Sequence, residues 1–117
     1  MTGNSKRDDL EDRTLLFAEK VISFINVLPK TLTNIEISKQ LVRAVGSVGA
    51  NYIEANESLS KKDFVMRIKI CRKETKETRY WLKLTSCIKG SENEKTILIQ
   101  ESTELMKIFG AILEKTK

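Results

Sequence analysis

Histidine is absent from this 117-residue chain. That removes the commonest general base and the commonest metal ligand. Cysteine occurs twice, as Cys71 and Cys87, too few for a zinc site, whose four ligands must gather in space. No Gly-Lys-Ser/Thr follows the interior glycines, so there is no phosphate-cradling loop. Glu-x-x-His pairs, which a di-iron bundle needs, are missing as well. No pattern recommends serine, threonine or carboxylate catalysis. The sequence therefore predicts no catalytic residues, no metal and no cofactor, and hence not an enzyme. Proline occurs once and glycine five times, little material for many turns, which favours a few long helices over many short strands. No apolar run is long enough to cross a bilayer, and no apolar stretch follows Lys6 and Arg7 to make a signal peptide. A cytoplasmic protein with reduced thiols and no membrane partner is expected.

What is present is helical periodicity. Residues 1–7 are small and polar and read as a disordered tail; residues 8–117 read as one domain. A first segment runs from about Asp8 to Leu28, with Leu10, Thr14, Phe17, Val21, Phe24 or Ile25, and Leu28 on one face and Pro29 as its stop. A second starts at Thr33, where Thr33 and Glu36 form a capping-box pattern, and carries Ile37, Leu41, Ala44, Val45, Val48, Tyr52 and Ala55. The third starts at Ser60 and Asp63 and carries Phe64, Ile68, Cys71, Thr75, Thr78, Leu82 and Thr85, with Gly90 as its C-terminal cap. This places Cys71 and Cys87 on one helix, roughly 24 Å apart along its axis and out of disulfide reach. Ser91 and Glu94 open a fourth helix carrying Leu98, Leu105, Ile108, Phe109 and Ile112. Four long helices with short loops predict an all-α, antiparallel up-down-up-down four-helix bundle.

Two helices have more than the single apolar stripe a monomeric bundle needs. On the second, Val42, Gly46, Gly49 and Ile53 cluster away from the main stripe. Interior glycines cost about 1 kcal/mol each relative to alanine. Either they are merely tolerated or they admit close approach of another backbone. On the third, Met66, Ile70, Trp81, Leu84 and Ile88 share a side, with Glu74 and Glu77 among them. This side either widens the core or mediates self-association, and we favour the second, since tryptophan and methionine are enriched at interfaces. Asn51 and Glu54 flank the main stripe of the second helix and are expected to be structural, Glu54 meeting Arg43 or a neighbouring helix.

The remaining side of the third helix is basic. Lys62, Lys69, Arg72, Lys73, Lys76, Arg79 and Lys83 fall in one sector that no acid interrupts. The chain has 21 basic and 16 acidic residues, net +5, a modest excess whose position matters more than its size. A solvated face ordinarily alternates signs to gain i,i+4 pairs. An unbroken stripe is read either as solvated surface or as a site for nucleic acid or another polyanion.

The run Gln40-Leu41-Val42-Arg43-Ala44-Val45-Gly46-Ser47-Val48-Gly49-Ala50-Asn51-Tyr52-Ile53-Glu54-Ala55 resembles the central motif of the family of 23S rRNA intervening-sequence proteins. Ser60-Lys61-Lys62-Asp63-Phe64 fits the family's next motif, and Lys73 to Leu82 match its Lys-Glu-x-x-Glu-Thr-x-Tyr-Trp-Leu signature. Leu28-Pro29 sits where the family has its first turn, while Tyr52-Ile53 and Asn56 are small departures. The resemblance implies up-down four-helix bundles forming ring-shaped homopentamers with basic surfaces, some encoded within 23S rRNA genes. A similar bundle is the accessory protein of diversity-generating retroelements, which binds a reverse transcriptase and nucleic acid. The expectation is thus a non-enzymatic oligomer that binds nucleic acid, RNA favoured, through helix 3. The alternative is a ring-shaped scaffold for a protein partner such as a reverse transcriptase.

Overall fold

The structure, a computed structural model, describes residues 6–117. Residues 1–5 of the tail expected over 1–7 lie outside the described residues, and Lys6 and Arg7 belong to the first helix. Four helices follow: α1 Lys6–Asn26, α2 Leu32–Asn56, α3 Lys61–Leu84 and α4 Glu92–Lys115. No strand occurs among the described residues. Each helix packs on its sequence neighbours and α4 closes back on α1, as in an up-down four-helix bundle.

The stripes read from the sequence form the core, with Phe64, Ile108 and Ile112 half-buried at its edge. Phe17, Val21 and Phe24 of α1 meet Leu41, Val45, Val48 and Tyr52 of α2, Ile68, Cys71 and Leu82 of α3, and Leu98, Leu105 and Phe109 of α4. Tyr52 and Phe109 contact each other at a tilt, with ring centroids 6.1 Å apart. Four hydroxyls of the core are satisfied within their own helices. The hydroxyls of Thr14, Thr75, Thr78 and Ser102 donate to the carbonyls of Glu11, Cys71, Glu74 and Ile99 at 2.6–2.9 Å.

The helix ends differ from the sequence reading in several places. The N-cap of α2 is Thr31, not Thr33: Thr31 is extended, and its hydroxyl accepts the Asn34 amide at 3.1 Å. The third helix stops at Leu84 instead of running to Gly90, so Cys87 and Ile88 lie in the 85–91 connection, off the helix. Its end is fixed from outside. Thr85 is extended, its hydroxyl donates to the Leu82 carbonyl at 2.7 Å, and the Lys95 ammonium donates to the Thr85 carbonyl at 2.7 Å. Buried Asn34 then pairs with the next residue as a strand would: its Oδ1 accepts the Ser86 amide at 3.0 Å and its Nδ2 donates to the Ser86 carbonyl at 2.9 Å. The same Nδ2 donates to the Pro29 carbonyl, tying two connections at one end of the bundle. Gly90, at φ 101°, is the left-handed residue of the turn into α4, not the cap of α3. The Ser91 hydroxyl makes no cap bond at the start of α4; the Glu92 carboxylate accepts the Gly90 amide at 2.7 Å instead. The Glu92 backbone amide, and then that bond, hold this carboxyl below its ordinary value. Ser60 caps α3 as expected, accepting the Asp63 amide at 3.1 Å.

Candidate nucleic-acid interface

Helix α3 carries nine lysines and arginines against Asp63, Glu74 and Glu77, a net +6, so the +5 of the whole chain is held on one element. Two of its acids are turned toward α2. Arg43 of α2 donates through Nη2 to Glu77 at 2.6 Å and reaches buried Glu74 through Nη1 at 3.5 Å. Further along, Arg67 of α3 donates to the Asn51 side-chain carbonyl at 2.9 Å, and the Asn51 amide donates to the Ser47 carbonyl and hydroxyl. Asn51 is therefore a bridge between helices, as a structural residue should be. Glu54 is not its counterpart: the side chain is exposed and Arg43 has gone to α3.

With Glu74 and Glu77 engaged, the opposite side of α3 is left with cations alone. Lys62, Lys69, Arg72, Lys73, Lys76 and Lys83 are exposed, and none is in an ion pair with a described residue. Arg79 shares the sector but is half-buried, with its Nε enclosed and unpartnered. Lys62 and Lys83 are twenty-one positions apart, so the stripe is about 32 Å long.

The nine residues expected at an oligomer interface differ in exposure. Val42, Ile53, Met66 and Leu84 are about half exposed, and Gly46 faces open space. Ile70 is half-buried, and Trp81 is half-buried against the core. Gly49 serves packing inside the protomer: a Cβ there would stand 3.2 Å from the Thr14 hydroxyl of α1. Ile88 has left the helix. The polar seam of Arg43, Ser47 and Asn51 with Arg67, Glu74 and Glu77 runs where α2 meets α3, between the two apolar strips. Sequence reading overlooked exposed Leu15 and Ile22 on α1, Ile35 on α2, and Leu59, fully exposed in the α2–α3 turn.

The other surface features have little chemistry. Hollows of about 380, 580 and 290 Å³ follow the loosely packed α1–α4 seam, the first two sharing Arg13 and the last two Lys20. Arg13 is already committed there, bidentate to Glu101 at 2.7 and 2.8 Å, which raises its pKa. Both cysteines are free thiols. Cys71 is buried, donates to the Val48 carbonyl at 3.4 Å, and is pushed by burial to a pKa of about 12, so it carries no thiolate at neutral pH. No group of three or more potential metal ligands gathers among the described residues. No helix among them is long and apolar enough to cross a membrane.

The class this defines is an up-down four-helix bundle with one strongly basic helix. Within it, the chain belongs to the family of 23S rRNA-intervening sequence proteins, whose model matches residues 9–111. It is similar to a solved protein of unknown function from the S23 ribosomal protein family of Bacteroides thetaiotaomicron VPI-5482. The two are 27% identical with a TM-score of 0.78, over 94% of this chain and 99% of that one. No curated protein sequence matches the chain.

Proposed function

We propose that this protein is a non-enzymatic, oligomeric nucleic-acid-binding protein, with RNA the favoured ligand, and that the basic side of α3 is its binding surface. The observation that carries this reading is the row of unpaired cations from Lys62 to Lys83, with Arg43 holding Glu74 and Glu77 of the same helix away from it. Such a row attracts a phosphate chain by releasing its counterions, which makes binding strong at low salt and largely independent of sequence. Repetition of the row around a symmetric ring, a homopentamer on the family resemblance, multiplies the field.

The test is a salt titration of RNA binding with Lys69, Arg72 and Lys76 changed together to glutamine. All three are exposed and unpaired, so helicity and melting temperature should stay within error. Each phosphate contact removed should lower the slope of log affinity against log salt by about 0.7–0.9. A variant that binds as the wild type does, or a wild type that ignores RNA at low salt, overturns the proposal. A scaffold for a protein partner, such as a reverse transcriptase, then becomes the leading reading.

A further inference from the structure

One aromatic side chain stands within the basic stripe. Tyr80 is 57% exposed, four residues after Lys76 and three before Lys83, so all three project from one side of α3. Lys73 lies a further turn back on the same side. The ring does not swing freely. It meets the Trp81 ring edge-on, with centroids 5.1 Å apart and planes at 73°, and Trp81 is itself held against the core. An edge-on contact braces Tyr80 without covering it. The nearest acid on the helix, Glu77, is bound to Arg43 at 2.6 Å and leaves no free negative charge beside the ring. A braced aromatic face flanked by unpaired lysines is what a nucleotide with an unpaired base requires: a π-surface for the base and a cation one helical step away, about 5–6 Å, for the phosphate.

We infer that Tyr80 is a base-stacking platform and that the ligand of the α3 surface is a single-stranded nucleic acid. This rests on the nucleic-acid reading above and narrows it. Bases inside a duplex are stacked on each other and give Tyr80 nothing to cover, whereas every unpaired base offers a face. The lysines supply affinity that depends on salt; Tyr80 supplies affinity that does not, because stacking releases no counterions.

The experiment measures binding of single-stranded RNA, the matching single-stranded DNA and an RNA duplex to the wild type, Tyr80→Ala, Tyr80→Phe and the triple glutamine variant. Tyr80→Ala should weaken single-strand binding roughly five- to hundred-fold with an unchanged salt slope, and leave duplex binding as it was. Tyr80→Phe should keep wild-type affinity. The triple variant should show the reverse pattern, a flatter slope on every ligand. The wild type's Trp81 emission should also change when oligo-uridine binds, a readout that needs no variant. Tighter binding of RNA than DNA, or of DNA than RNA, identifies which strand is the ligand and supports the platform either way. If Tyr80→Ala binds single strands as the wild type does, or loses duplex binding equally, the platform is refuted while the basic surface stands. If the wild type binds no nucleic acid, both readings fall together.

Discussion

Gly46 and Gly49 occupy the same side of the same helix, yet the structure asks different things of them. At Gly49 an added Cβ meets the Thr14 hydroxyl at 3.2 Å, and at Gly46 it meets nothing. Alanine at Gly46 should therefore gain helix propensity alone, up to about 1 kcal/mol, and raise the melting temperature. Alanine at Gly49 should gain less or lose, because Thr14 sits in a fixed rotamer, donating to the Glu11 carbonyl at 2.9 Å. A pair of thermal melts decides it, and equal gains at both positions would show that α1 yields freely. Glu92 gives a pH signature at the same scale. Its carboxyl is lowered in the folded chain, so its contribution to stability is present above the ordinary carboxylate range and is lost as pH falls through the lowered value. Glu92→Gln should thus melt below the wild type at pH 7, and the gap should close as pH falls through the lowered value. None of this is legible in a sequence, since spacing shows which residues share a side but not whether another helix stands against them.

At the scale of the element, what the sequence shows is the middle of each helix and what it hides are the ends. The 3.6-residue repeat of Leu10 to Leu28, of Ile37 to Ala55 and of Ile68 to Leu82 is buried as read. Cap chemistry is ambiguous where two candidates overlap: Thr31 and Thr33 each precede a polar residue by three positions, and the side chain that caps is set by where Asn34 is anchored. The end of α3 is the stronger case. Leu84 and Ile88 keep helical spacing, so the pattern runs on, and the helix is stopped by Asn34, fifty-two positions away from Ser86. Local periodicity has no access to such a contact. Asn34 is only 2% exposed and satisfies groups on both Pro29 and Ser86. Asn34→Ala should therefore cost about 2–3 kcal/mol, from polar groups left buried without partners. Amide exchange should quicken at Ser86 while α1 and α2 stay protected. A variant that melts like the wild type would mean that water replaces the clasp.

For the whole molecule, the row of cations on α3 was legible, but the exposure of the residues expected to mediate association was not, for one physical reason. A stripe of charge is a property of one helix, so a helical wheel suffices to find it. An interface depends on which apolar side chains the neighbouring helices leave uncovered. Val42 and Ile53 share a side of one helix and Met66 and Leu84 a side of the next, but Arg43 and Asn51 cross to Glu77 and Arg67 between them. Gly49 and Trp81 are also poor probes of association, since one packs on Thr14 and the other on the core, and changing either damages the protomer. The exposed residues are the informative ones. Val42→Glu and Leu84→Glu should each leave helicity intact and shift the sedimenting mass toward the monomer, provided both strips lie in the contact between copies. A strip that tolerates glutamate lies outside that contact, and a wild type that is monomeric at micromolar concentration removes self-association altogether. The two surfaces can then be joined in one measurement. If the copies form the proposed ring, several α3 stripes would engage one strand, and the later contacts would be intramolecular, worth up to about 10²–10⁴ in avidity. A monomeric Val42→Glu protein keeps every lysine and Tyr80, so it should bind a short oligonucleotide as the wild type does but lose most of its advantage on a long one. Equal loss on both lengths would mean that Val42 touches the nucleic acid itself, and no loss on either would mean that the copies bind independently.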